Sequence, residues 1–355
     1  MSKSDYNFTA RRLHQIALQK PVAEVSFDIE NVLIQKKGKQ FADNHVFVSG
    51  LARSGTTILL RYLHQTGVFK SLTYLDMPFV LMPNIWKKIS YKKPSTEVKE
   101  RAHQDGIMIG FDSPEAFEEV FWRVFCGEQY IDKDKLQLHE ADDDILEKFK
   151  AYVNNILLSS DRANQGRYIS KNNNNVLRFS SLQKAMPNAQ IIIPFRDPLQ
   201  QAFSLLTQHN HFCKKQSEDK FSLKYMNWLG HFEFGLNQKS FYLGDEEAFK
   251  EMLDYDKTDI NFWLANWKNY YKYVNEQFAG NMLFFNYDDF CRHPQLVMDE
   301  LFERIDVPSL PIQLEPFKPS AKMVAGYNEN LVAECNSIYR ELDKKYHLWF
   351  NELTS

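Results

Sequence analysis

Gly50 and Gly55 are separated by four residues, with Arg53 between them and Thr56 and Thr57 directly after. This is the spacing of a phosphate-binding loop, in which glycines let backbone N–H groups turn toward an anion. Nucleoside triphosphatases place a lysine where this chain has Thr56, to reach the β- and γ-phosphates. Here the cation sits inside the loop, at Arg53. The residues therefore point to a nucleotide ligand without a γ-phosphate. A tight strand-to-helix turn with no ligand uses the same spacing, so the loop alone leaves both readings open. A second cation stands at Arg196, followed by Asp197-Pro198 and then by Ser204. Asp197 is a good helix N-cap and Pro198 fits the first helical position. An arginine at a strand end and a serine about two turns into the next helix can hold one phosphate between them. Taken alone, a surface arginine beside a capped helix explains the pattern as well.

These residues need elements to place them. His45–Ser49 is a short apolar run that reads as a buried strand. Thr56–Gln65 puts Ile58, Leu59, Tyr62 and Leu63 on one helix face, and Gly67 is its stop. Strand, glycine loop and helix is the arrangement a phosphate site requires. Further strands are predicted at Tyr168–Ser170, Gln190–Phe195 and Met282–Asn286, and a possible strand pair around Val22–Ile34. Helical patterns cover Ser180–Met186, Pro198–Gln208, Asn261–Gln277 and Leu296–Ile305. Strands alternating with helices predict an α/β fold, three layers about a central parallel sheet. Both cationic segments fall at carboxyl ends of strands, where such sheets bind ligands. Asn172–Asn175 reads as a loop.

The chain has 355 residues, 44% of them apolar and 25% charged. We expect a single domain over 1–355, with a polar lead-in at 1–44. Two stretches, 79–165 and 209–260, break the alternation and read as helical and aromatic cap insertions over a cleft. The 28 Phe and 17 Tyr residues line that cleft or form a plain aromatic core. A net charge of -3 argues against a general nucleic-acid binder. The N-terminus is polar with no apolar leader, no run approaches a membrane span, and the four cysteines show no paired spacing. A reduced, cytoplasmic protein is expected. Oligomeric state is not written in the sequence.

Together the two anchors resemble the sulfotransferases that use 3′-phosphoadenylyl sulfate (PAPS). In that family a first loop, Lys/Arg-Ser-Gly-Thr-Thr, cradles the 5′-phosphosulfate; here it is Arg53-Ser54-Gly55-Thr56-Thr57. A second segment, Arg-Asp/Asn with a serine eight residues on, holds the 3′-phosphate; here it is Arg196 and Ser204. Tyr287-Asp288-Asp289, after the late strand, is similar to the family's segment whose tyrosine lies near the adenine. Lys171 falls where several branches carry a lysine, which in the tyrosylprotein branch faces the transferring sulfonate. The resemblance covers about residues 45–77 and 168–310 and implies the P-loop-like sulfotransferase fold. Arg53 rather than lysine is similar to the protein and carbohydrate branches. The glycine-rich C-terminal loop of the cytosolic branch is not visible; Lys318 or Lys322 is a possible substitute.

The resemblance implies in-line sulfonate transfer from PAPS to a hydroxyl or amine, leaving adenosine 3′,5′-bisphosphate (PAP). Arg53, Lys171 and the Thr56/Thr57 end of the loop would stabilise the developing charge, with no metal expected. A hydroxyl acceptor needs a base, and Asp76 is the expected one, since the tyrosylprotein and glycan branches place a glutamate near this point. An aspartate opening a Met-Pro turn is the plainer alternative. His103, His209, His211 and His231 are rival bases, with His231, Trp228, Phe232 and Trp263 placed for acceptor contact. A small or amphipathic acceptor is expected. An ATP-dependent P-loop kinase and a non-catalytic nucleotide-binding protein are the competing readings.

Overall fold

The computed structural model describes residues 8–34, 41–90, 99–100, 108–109, 113–160, 166–308, 314 and 321–351. Its centre is a five-stranded parallel sheet in the order Phe69–Lys70, Arg167–Lys171, Val46–Val48, Gln190–Phe195, Met282–Asn286. Val46, Phe47, Val48, Ile192, Ile193 and Phe284 are fully buried. Such continuous apolar strands form because helices cover both faces of the sheet. The register sets Val48 beside both Lys171 and Ile192, and Phe195 beside Asn286. Four strands therefore deliver their carboxyl ends to one edge, and those ends lead into Gly50, Lys171, Arg196 and Tyr287. The strand from Val46 is flanked on either side by later strands, so the crevice of a switch point opens at its end.

The lead-in is helical. Phe8–Ala17 and Lys20–Ile34 are helices, which corrects the strand pair expected around Val22–Ile34. That segment is rich in β-branched residues, but Ala23, Phe27, Glu30 and Ile34 are buried at helical spacing. Phe27 packs edge-on against Phe121. The Asn172–Asn175 run is also corrected, since Asn173–Arg178 forms a 3₁₀ helix with all its residues buried.

The aromatic stretch after residue 113 belongs to the core. Phe117, Phe121, Trp122, Phe149 and Tyr152 are buried, on the helices Glu119–Tyr130 and Asp143–Leu158 and the turn before them. Asp142 caps the second helix by accepting from the Ile145 amide at 2.9 Å. The helix opened by Pro198 runs on to Glu218, past the expected end at Gln208. A short parallel pair, Lys135–Gln137 with Ser240–Tyr242, joins the two stretches that interrupt the alternation.

Candidate functional site

The loop is shaped by two residues with positive φ, Arg53 at 69° and Gly55 at 93°. Ser54 is fully buried, and both its amide and its hydroxyl donate to the Leu51 carbonyl, so its side chain shapes the loop from within. A side chain at Gly50 would put its Cβ 2.9 Å from the Pro194 carbonyl oxygen. A side chain at Gly55 would meet the Tyr287 ring at 2.2 Å. Glycine is required at both positions by close approach, and at Gly55 also by φ. The helix Thr56–Gln65 starts at Gly55 without a side-chain cap. Its first-turn N–H groups and dipole favour an anion there.

Arg53 and Arg196 meet. Arg53 Nε donates to Ser204 Oγ at 3.0 Å, and Arg196 Nη1 donates to the Arg53 carbonyl at 3.3 Å. The Arg196 guanidinium lies 5.3 Å from the centre of the Tyr287 ring, a cation–π contact. The two anchors, 143 residues apart, thus form one cluster with Ser204 and Tyr287. Arg196 is only 6% exposed, and its Nε and Nη2 are buried without a partner among the described residues. A buried guanidinium with two orphan donors is costly, and an anion in the crevice would satisfy both. Burial pushes the Tyr287 hydroxyl well above its ordinary range, so it stays neutral.

Gln201, which the sequence did not single out, helps to hold this cluster, together with Asp197 and Asp288. Gln201, fully buried, donates from Nε2 to the carbonyls of Leu51 (3.4 Å) and Ala52 (3.0 Å) and accepts from Trp267 Nε1. It ties the loop to the helix that follows Arg196. Asp197 caps that helix through the Gln200 amide, and its own amide donates to Asp288 Oδ2 at 2.6 Å. Asp288 in turn accepts from the Tyr339 hydroxyl. A polar residue on the buried face of a helix, as Gln201 is, was the available signal.

Lys171 ends its strand in register with Val48, two residues before Gly50. Asn172 Nδ2 donates to Glu119 Oε2 at 2.8 Å, and Glu119 forms a 2.7 Å ion pair with buried Arg178. Burial pushes the Glu119 carboxyl up, but the Arg178 guanidinium more than offsets this and the net shift is down. Tyr130 also donates to Glu119. Asn173 Nδ2 donates to Glu233 Oε1 at 2.8 Å. Asp76 lies at the end of a short 3₁₀ turn, Tyr74–Asp76. Its Oδ2 accepts from the Thr73 amide (2.7 Å) and hydroxyl (3.0 Å).

Two of the rival histidines, His231 and His209, are hydrogen-bonded to backbone groups. His231 Nε2 donates to the Ala116 carbonyl at 2.9 Å. His209 accepts from the Gly235 amide, and burial depresses its pKa to about 4. His103 and Lys318 lie outside the described residues. The backbone of Lys322 pairs both ways with the Gln200 side chain, which seats the C-terminal segment beside the Arg196 helix. No cluster of three or more potential metal ligands occurs among the described residues, and no described helix is long and apolar enough to cross a membrane.

A glycine loop and a buried arginine thus converge at the switch point of a parallel sheet in an α/β fold. A model of the sulfotransferase family matches residues 45–238, more than half of the chain, and includes the loop, Asp76, Lys171, Arg196 and Ser204. The chain belongs to the sulfotransferase family and is a transferase. Solved structures similar to it include a sulfotransferase of Mycobacterium avium (14% identity, 99% of this chain and 86% of that chain covered, TM-score 0.47). Another is a sulfotransferase of Mycobacterium tuberculosis H37Rv (9% identity, 97% and 88% covered, TM-score 0.45). A third is from Alicyclobacillus acidocaldarius (14% identity, 87% and 96% covered, TM-score 0.38). No curated protein matches the chain.

Proposed function

We propose that this sulfotransferase takes its sulfonate from PAPS and transfers it to a hydroxyl or amine of a small or amphipathic acceptor, releasing PAP. The observation that carries this reading is the pair of donors on buried Arg196 that have no partner among the described residues. With Ser204 they supply the grip that a 3′-phosphate needs and ATP does not. PAPS, when bound, supplies a sulfonate on a phosphate leaving group, already a weak base. Backbone N–H groups of Arg53–Thr57 and the helix N-terminus hold the 5′ end. Tyr287, packed on Gly55, forms the wall on the nucleoside side. Arg53 and Lys171 stabilise charge as it develops on the equatorial and leaving oxygens.

The incoming hydroxyl also needs a proton acceptor. Asp76 supplies one only through Oδ1, because its two described hydrogen bonds both fall on Oδ2. The stretches 79–165 and 209–260 are proposed to frame the acceptor side. A reducing, cytoplasmic setting fits the four cysteines, which form no disulfide. The kinase reading lacks its lysine at position 56. Calorimetric titration decides between the two: PAP is expected to bind at least about 100-fold more tightly than ATP with Mg2+, a difference of nearly 3 kcal/mol. Tighter binding of ATP would overturn the proposal.

A further inference from the structure

The helix Lys20–Ile34 is apolar on both of its faces. Ala23, Phe27 and Ile34 are buried in the core. On the opposite side Val25, Ile29, Val32 and Leu33 are 56%, 45%, 70% and 62% exposed. Their spacing of i, i+4, i+7 and i+8 puts them in one stripe, where a surface helix ordinarily carries polar residues. Asp28 is an exposed charge on the same side. The helix Pro83–Ser90 is seated against this one through buried Glu30, which accepts from the Asn84 and Ile85 amides at 2.8 and 3.2 Å and from the Asn84 side chain at 2.7 Å. It ends in exposed Lys87, Lys88 and Ile89. An exposed apolar stripe of this length marks an interaction face.

The charge around it selects the partner. The stretches 20–39 and 83–93 hold eight lysines and three carboxylates, in a chain of net charge -3. One of those carboxylates, Glu30, is turned inward onto Asn84. Lys36, Lys37 and Lys39 follow the stripe directly in the sequence, and Lys92 and Lys93 follow Ile89. We propose that this face docks on the surface of an anionic lipid bilayer. Val25, Ile29, Val32 and Leu33 enter the boundary between headgroups and acyl chains, and the lysines meet lipid phosphates. An apolar helix face with a basic rim is the pattern of interfacial binding. A second copy of the chain fits less well, because an isologous contact sets the patch against itself and lysines against lysines. Docking through this face is independent of what the nucleotide crevice transfers.

The test sediments the 355-residue chain with vesicles of phosphatidylcholine alone and of phosphatidylcholine with about 30% phosphatidylglycerol. Wild type is expected to bind the anionic vesicles at least about tenfold more tightly than the neutral ones, and to be released by about 0.5 M NaCl. Val32→Ser with Leu33→Ser is expected to weaken anionic-vesicle binding by about tenfold or more. Lys87→Gln with Lys88→Gln is expected to weaken it by about tenfold and to leave binding to neutral vesicles unchanged. All six side chains in question are exposed or beside solvent, and unchanged urea midpoints confirm that both variants fold. Equal binding of wild type to the two kinds of vesicle, or none to either, overturns the proposal. So does anionic-vesicle binding that neither variant weakens. Sedimentation equilibrium supplies the last outcome: a wild-type dimer that Val32→Ser with Leu33→Ser dissociates would give the face to a second copy and overturn the bilayer.

Discussion

Arg196 carries a guanidinium that the folded chain satisfies only in part: Nη1 reaches the Arg53 carbonyl, while Nε and Nη2 are buried without partners among the described residues. Orphan donors do not stabilise a fold. Arg196→Ala is therefore expected to change the unfolding free energy by less than about 1 kcal/mol, although the residue is buried. Urea denaturation measures this, and a loss of several kcal/mol would assign Arg196 to the fold instead of to a ligand. Gly55 is the opposite case. Its φ of 93° and the Tyr287 ring 2.2 Å from any Cβ make Gly55→Ala strained twice over. It is expected to cost about 1–3 kcal/mol and to weaken PAP binding, since the loop must open or Tyr287 must move. Unchanged stability and affinity together would contradict the close packing of loop and tyrosine.

At the scale of the elements, buried histidines join the sheet and its surroundings as neutral acceptors. His45 takes the Tyr168 amide, His139 takes Arg178 Nε, and His209 takes the Gly235 amide. Burial depresses the three to about 4, 3 and 4. Their folded values lie below the ordinary one, so the unfolded chain binds protons first as pH falls. The stability they contribute is complete above about pH 6.5 and is lost progressively toward pH 3–4. Between pH 7 and 5 each is expected to lose on the order of 1–2 kcal/mol. Urea midpoints at the two pH values check this, and a flat profile would contradict it. The same elements show what a sequence can reveal. The strands Gln190–Phe195 and Met282–Asn286 were legible to the residue, because burial on both faces demands unbroken apolar runs. Lys20–Ile34 was not, because β-branched residues mask a helical burial pattern. That Arg53, Arg196, Ser204 and Tyr287 come together was legible in their spacing and residue types. Gln201 was not, since its partners lie 66 or more residues away.

In the whole molecule, the strand order does the assembling. Inserting Val46–Val48 between Arg167–Lys171 and Gln190–Phe195 brings the glycine loop, Lys171 and Arg196 to one crevice. The late strand Met282–Asn286 then adds Tyr287 and Asp288. The C-terminal helix Glu329–Asn351 supports that corner through Tyr339 on Asp288 and Tyr346 on Asp289. The central claim is that this crevice reads a 3′-phosphate through Arg196. Its most direct test is calorimetric titration of wild type and Arg196→Ala with PAP and with AMP, which lacks only that phosphate. Wild type is expected to prefer PAP by about 100-fold, the worth of two charge-assisted hydrogen bonds. In Arg196→Ala that preference is expected to collapse to within about tenfold, with AMP affinity almost unchanged. Equal preference for PAP in the two proteins, or none in wild type, would contradict the account.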